Sequence, residues 1–164
     1  MVNSNGESKV VKLDSKDKKI IRELQENCRQ SIAEISKKTH LPRDVVVYRI
    51  KKLENRAVIR QHHSFLDHVK LGYPLYVYVL FSLYNISNEK EKVFINYLKN
   101  HKQIIYVAKN SGKYDFTIGV CAKDYRGFDN IIREIRQKFA KSIKDIEALP
   151  TVEEFKYDYM VDLI

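Results

Sequence analysis

Nine residues, LYVYVLFSL from Leu75 to Leu83, constrain this chain more than any other stretch. β-Branched and aromatic side chains fill the segment, and apolar groups fall on both faces of the extended chain. A strand of this kind belongs in a sheet that is covered on both sides. The search for what covers it organises the rest of the sequence.

The residues that follow supply one cover. SNEKEKVFINYLKNH reads as a helix burying Val93, Phe94, Tyr97 and Leu98, and QIIYVAKN as a strand. SGKYD supplies a hairpin turn before the strand FTIGVCA. Phe128, Ile131, Ile132, Ile135 and Phe139 then mark a second helix after Asp124, and a last strand runs through IKDIEALPTVEEFKY. The order βαββαβ predicts an α+β, ferredoxin-like sandwich over residues 75–164, with both helices on one face of an antiparallel sheet. The other face has no helix of its own. Tyr76, Tyr78 and Leu80 on that side predict sheet-to-sheet dimerisation as the second cover.

Ahead of that body the rhythm is helical. Ile20, Ile21 and Leu24 lie on one face of a first helix, Ile32 and Ile35 on a second, and Val46, Ile50 and Leu53 on a third. Ser31 followed by Glu34 is a capping box, and Pro42 suits the first turn of the third helix. NRAVIRQHHSFLD then shifts to β-type residues, with Val58, Ile59 and Phe65 around a polar tip, as in a two-stranded wing. Residues 13–66 thus predict a winged helix-turn-helix. Residues 67–74 form a hinge, because Gly72 and Pro74 interrupt any periodic element.

Charge points the same way. Lys and Arg number 30 against 21 Asp and Glu, a net charge of +9. Through Phe65 the count is 15 basic against 8 acidic, net +7, which fits a polyanion-binding head on a near-neutral body. Only Cys28 and Cys121 are present, so there is neither a disulfide framework nor a zinc site of paired cysteines. Both cysteines suit small buried apolar roles. No apolar run approaches the ~20 residues of a membrane span, and residues 1–12, MVNSNGESKVVK, read as a disordered polar tail without a signal segment. A cytoplasmic protein with no cofactor is the expectation.

A winged helix-turn-helix followed by βαββαβ resembles the Lrp/AsnC, or feast/famine, family of transcription regulators. LDSKDKKIIRELQENCRQSIAEISKKTHLPRDVVVYRIKKLENRAVI resembles that family's head, from its opening Leu-Asp and spaced Asp17 to Arg49, Leu53-Glu54 and Ile59. LGY at Leu71 to Tyr73 matches the link into the effector domain, and SGKYDFTIGV resembles its Gly-x-Tyr-Asp hairpin. Two positions depart from the pattern. Pro42 replaces the Ser that usually caps the recognition helix, and Ala57 replaces the Gly before the wing, where Ala enters positive φ at a cost.

On the third helix Arg43, Asp44, Val47, Tyr48 and Lys51 point outward, and the N-terminal members of that set would meet base edges in a major groove. Arg43 suits guanine O6 and N7, and Val47 a thymine methyl. A solvated helix face is the alternative, although an exposed Val-Tyr pair between basic residues is costly to leave uncovered. The resemblance puts Arg49 at DNA; an ion pair with Glu54 or a neighbouring acid serves equally well. Phosphate contacts fall to Ser31 at the start of the second helix and to Lys37, Lys38, Lys52, Arg60 and Gln61. His62 and His63, adjacent in a strand, point to opposite faces and would not chelate together, so they read as polar wing residues and no metal is expected.

In the body, the resemblance places a small effector, often an amino acid, near the hairpin Asn110, Ser111, Gly112, Lys113, Tyr114 and Asp115. Asp115 suits an α-ammonium and the neighbouring N–H groups a carboxylate. A plain hairpin is the alternative, since Asn110, Ser111 and Gly112 are ordinary turn formers. The reading is a non-enzymatic regulator that binds pseudo-palindromic double-stranded DNA as a homodimer, able to assemble into tetramers or octamers. Its rivals are a sirohaem-decarboxylase-like enzyme of the same two-part fold and a metabolite sensor whose head does not bind DNA.

Overall fold

In a computed structural model, residues 10–156 and 160–164 are described. The tail expected over residues 1–12 lies outside the described residues up to position 9; Val10, Val11 and Lys12 form no regular element. The chain divides into two compact units: one runs to Phe65 and includes Lys156 and the C-terminal end, and the other spans Leu66–Phe155.

The first unit holds α1 (Ser15–Glu26), α2 (Ile32–Thr39) and α3 (Arg43–Asn55), with a short 3-10 turn, Met160–Leu163, against α1. Its core is Ile20, Ile35, Leu41 and Val46, with Leu24, Ile32 and Ile50 packed around them. Removing one such side chain from water contributes about 1.5–3 kcal/mol. Asp14 caps α1, accepting from the N–H groups of Lys16 and Asp17, and Ser31 opens α2 in the expected capping box with Glu34. Pro42 stands at the N-cap of α3, one position earlier than expected, and supplies no side-chain acceptor.

Two connections use left-handed backbone at non-glycine residues. His40 ends α2 at φ +57°, where its N–H donates to the Ser36 carbonyl. Ala57 ends α3 at φ +55°, the conformation for which glycine is suited. Around it the Val58 N–H donates to the Leu53 carbonyl and the Ala57 N–H to the Glu54 carbonyl, each at 2.9 Å, a Schellman arrangement. The predicted wing does not form: residues 56–66 carry no strand. A two-stranded ribbon is marginal without an apolar face to bury, and here only Val58 and Ile59 are partly covered while Arg60–Leu66 lies exposed.

The second unit is β1 (Leu75–Leu83), α4 (Asn88–Asn100), β2 (Ile104–Lys109), β3 (Phe116–Ala122), α5 (Tyr125–Lys138) and β4 (Ile143–Pro150). Its antiparallel sheet has the order β2-β3-β1-β4. Val77, Val79 and Phe81 point to the helices and meet Phe94, Leu98, Ile131, Ile132 and Ile135. Phe94 sits among Phe81, Phe116 and Phe139 with ring centroids 5.6, 5.5 and 5.0 Å away, all edge-on. Val93 is 58% exposed rather than buried, since it stands about 100° round the helix from the Phe94 and Leu98 face. The last strand stops at Pro150 and residues 151–156 carry none, while the predicted end at Tyr157 lies outside the described residues; the terminal turn lies with the head rather than the body. Residues 67–74 fold as a turn of the second unit, closed by Tyr73 N–H to the His68 carbonyl at 2.9 Å with Gly72 at φ +85°.

Candidate nucleic-acid interface and effector hairpin

Helix α3 separates its residues by face. Val46 and Leu53 are buried and Ile50 is partly so; Arg43, Asp44, Val47, Tyr48 and Lys51 are exposed. Val47 at 46% and Tyr48 at 66% exposure leave an apolar pair open between Arg43 and Lys51. Spacings of three and four residues put Arg43, Val47, Tyr48 and Lys51 on one ridge. That ridge can bring two cations, a branched apolar side chain and a phenol to one groove.

Arg49 does not join it. Its Nη1 donates to both carboxylate oxygens of Asp14, at 2.8 and 2.7 Å, and to Asp17 Oδ1 at 2.6 Å. The guanidinium beside it, together with N–H donation from Asp17 and Lys16, holds the Asp14 carboxyl down at about 2, and the Arg49 pKa rises in return. The ion pair expected as an alternative for Arg49 is thus made with acids other than Glu54, which meets His62 at 3.0 Å. The signal missed was Asp14 and Asp17, more than thirty residues away in sequence.

The backbone-facing set is mixed. Lys37 and Arg60 are exposed, as is Gln61; Lys52 is half-buried. Lys38 pairs with Glu23 at 3.0 Å. The Ser31 hydroxyl donates to the Glu34 carboxylate at 2.8 Å, and that carboxylate also takes the Ser31 N–H. Cys28 points its thiol at the His63 carbonyl, 3.8 Å away, and burial pushes the Cys121 thiol up. Among the described residues no three His, Cys, Asp or Glu side chains converge as a metal site would require, and no helix is long and apolar enough to cross a membrane.

In the body the hairpin between β2 and β3 is tied to its own sheet. The Asp115 Oδ2 takes the Leu83 N–H at 2.7 Å, at the bulge in β1, so one of its carboxylate oxygens already has a backbone partner. Ser82 Oγ donates to the Lys113 carbonyl at 2.7 Å, Asn110 Nδ2 to Thr117 Oγ1 at 2.6 Å, and the Tyr114 hydroxyl to Glu147. Lys113 lies 4.8 Å over the Tyr114 ring. Ser111, Gly112 and Lys113 remain exposed at the tip.

The helix-free face of the sheet carries Tyr76, Tyr78 and Leu80, each partly exposed, joined by Tyr106 and Leu149. Tyr78 packs edge-on to Tyr76 and Tyr106, with centroids 5.0 and 6.3 Å apart. Gly119 makes room for this cluster. A Cβ there would stand 2.5 Å from Tyr76 Oη and 3.1 Å from Tyr106 Cβ.

Both halves match known sequence families: residues 13–54 the AsnC-type helix-turn-helix domain, and residues 76–161 the Lrp/AsnC ligand binding domain. The chain belongs to the Lrp/AsnC family. An HTH-type transcriptional regulator of Pyrococcus horikoshii is 30% identical over 92% of this chain and 94% of its own length. The leucine-responsive regulatory protein of Rhizobium meliloti is 26% identical over 93% of this chain and 97% of its own. Among solved structures, an AsnC family regulator from Agrobacterium tumefaciens superposes with a TM-score of 0.84 at 27% identity, covering 93% of this chain and 99% of that one. Like other Lrp/AsnC proteins, this one is a DNA-binding transcription regulator.

Proposed function

We propose that the regulator reads DNA with the exposed ridge of α3, binds as a homodimer closed through the helix-free sheet face, and answers to an amino acid or related metabolite near the 110–115 hairpin. The observation that carries the first part is the open Val47-Tyr48 pair between Arg43 and Lys51, a combination that a merely solvated helix face has no reason to keep. Arg43 suits guanine and Val47 a thymine methyl, while Lys37, Lys52, Arg60 and Gln61 supply phosphate contacts. Lys38 and Ser31 serve less directly, being engaged by Glu23 and Glu34.

Dimerisation places two heads on the half-sites of a pseudo-palindrome. The tyrosine cluster, Leu80 and Leu149 supply an apolar patch suited to a second copy. Tetramers or octamers extend that assembly, and an effector shifts the balance by binding one assembly more tightly than another. The exposed Ser111 to Lys113 tip and the name of the leucine-responsive relative support an amino-acid effector. The protein acts by binding, not catalysis, and works where the DNA is, in the cytoplasm.

The test is a binding titration on a duplex from the promoter region of its own gene at two salt concentrations. The double variant Arg43→Ala, Lys51→Ala should bind more weakly, with a salt slope smaller by about 0.9 for each phosphate that is no longer neutralised. Binding unchanged from the parent would remove α3 as the reader.

A further inference from the structure

Arg49 lies on the helix assigned to DNA, yet its charge is turned inward. All four oxygens of Asp14 and Asp17 are occupied: three accept from Arg49, and Asp17 Oδ2 takes the Asp14 N–H at 3.3 Å. The Arg49 side chain is 16% exposed and that of Asp17 4%. Reaching a phosphate would require Arg49 to leave both carboxylates, one of them buried and left without its cation, an exchange with an unfavourable balance. We propose that Arg49 is a positioning residue for DNA reading: its node with Asp14 and Asp17 sets how α3 is rotated on the head, and Arg49 itself does not touch DNA. The proposal rests on α3 being the reader.

Helix α3 has particular need of such a tie. Pro42 gives it no side-chain cap, and its buried set is Val46 and Leu53, with Val45 and Ile50 partly covered. The stripe decides which face of α3 turns inward, but apolar burial is non-directional and sets the rotation only coarsely. Charge-assisted hydrogen bonds are directional and short. Arg49 stands between Val46 and Leu53, and the Asp14 and Asp17 to which it is anchored already form the cap of α1, with Asp14 Oδ1 accepting from the N–H groups of Lys16 and Asp17, each at 2.9 Å. A rotation of α3 that carried Arg43 and Val47 away from the groove would break the three Arg49 bonds to Asp14 and Asp17 together.

Removing a carboxylate discriminates the two roles by sign. Asp17 is buried and cannot touch DNA, so Asp17→Asn acts through Arg49 and the helix it holds, through the α1 cap, where Asp17 Oδ2 accepts the Asp14 N–H, and through the charge of the head. If Arg49 were a phosphate contact held back by its acids, Asp17→Asn and Asp14→Asn would free it, tightening binding and steepening the salt slope by about 0.9. Coulomb's law alone also favours tighter binding when a negative charge leaves the head. Positioning predicts the opposite. Each variant of the full chain should bind the promoter duplex about tenfold more weakly with the parent's salt slope, and adding Arg49→Gln to Asp17→Asn should cost little more.

Arg43→Ala, Lys51→Ala is measured beside them. If that variant binds like the parent, α3 is not the reader and the proposal falls with that reading. If it weakens while both carboxylate variants bind as tightly as the parent or tighter, α3 stays the reader and the positioning role of Arg49 is overturned. Far-UV circular dichroism checks folding. Should Asp17→Asn fail to fold, Asp14→Asn carries the test, since Asn keeps an acceptor at the α1 cap.

Discussion

Replacing Ala57 by glycine should stabilise the head. Ala57 closes α3 at φ +55°, with the Val58 and Ala57 N–H groups donating back to Leu53 and Glu54. A left-handed conformation costs a non-glycine residue about 1–2 kcal/mol. Glycine removes that strain and returns about 0.5–1 kcal/mol through the greater freedom of the unfolded chain. The side chain removed is one exposed methyl, so burial hardly enters. The balance is a gain of about 0.5–1 kcal/mol for Ala57→Gly. Amide exchange across Val46 to Leu53 reports the head directly, and slowing by about two- to fivefold is the matching readout. Urea unfolding should shift its midpoint upward with an unchanged m-value. Ala57→Val supplies the opposite sign, because a β-branched residue is poorly suited to positive φ. Exchange unchanged or faster in Ala57→Gly, or Ala57→Val equal to the parent, would refute the strain argument.

The Asp14 carboxyl, held at about 2 against an ordinary 3.8, stabilises the folded head above the unfolded value and loses that contribution as pH falls through the folded one. Head stability should therefore drop between pH of about 4 and about 2, and Asp14→Asn should flatten that window in urea titrations at stepped pH. Gly119→Ala should disturb the sheet face without unfolding the body, because the added Cβ meets the Tyr76 ring rather than backbone. Displacing that ring should weaken the proposed dimer by roughly ten- to thirtyfold, read by sedimentation velocity; a dimer as tight as the parent's would detach the tyrosine cluster from the interface.

Elements with a strong period were legible in the chain. The three helical stripes follow from helical spacing, the two-faced strand at Leu75 to Leu83 from its short length and its β-branched and aromatic content, and the order βαββαβ from the two signals together. The outward set on α3 was legible too, since helix geometry assigns faces once Val46, Ile50 and Leu53 are taken as core. The wing was not. Its β-type residues satisfy propensity, but a ribbon forms only where a surface lies beneath it, and propensity carries no information about that surface. Val93 was misassigned for a related reason: adjacent apolar residues on a helix stand about 100° apart, and the sheet beneath selects Phe94.

The candidate site divides along the same line. Arg43, Val47, Tyr48 and Lys51 were found because they share one helix, whereas Arg49 could be given a partner only by the fold. Asp14 and Asp17 reach it because α1 and α3 cross there, and nothing local distinguishes them from Glu54. Likewise Tyr76 and Tyr78 were readable as an exposed stripe, but Tyr106, Leu149 and the space left by Gly119 come from neighbouring strands. Periodicity and charge by themselves determined a basic helical head, an α+β body and the face of α3 that is left exposed. Tertiary structure decided which cation is held inside and which are left exposed, because an ion pair depends on distance in space, and residues far apart in sequence acquire that distance only when the chain packs.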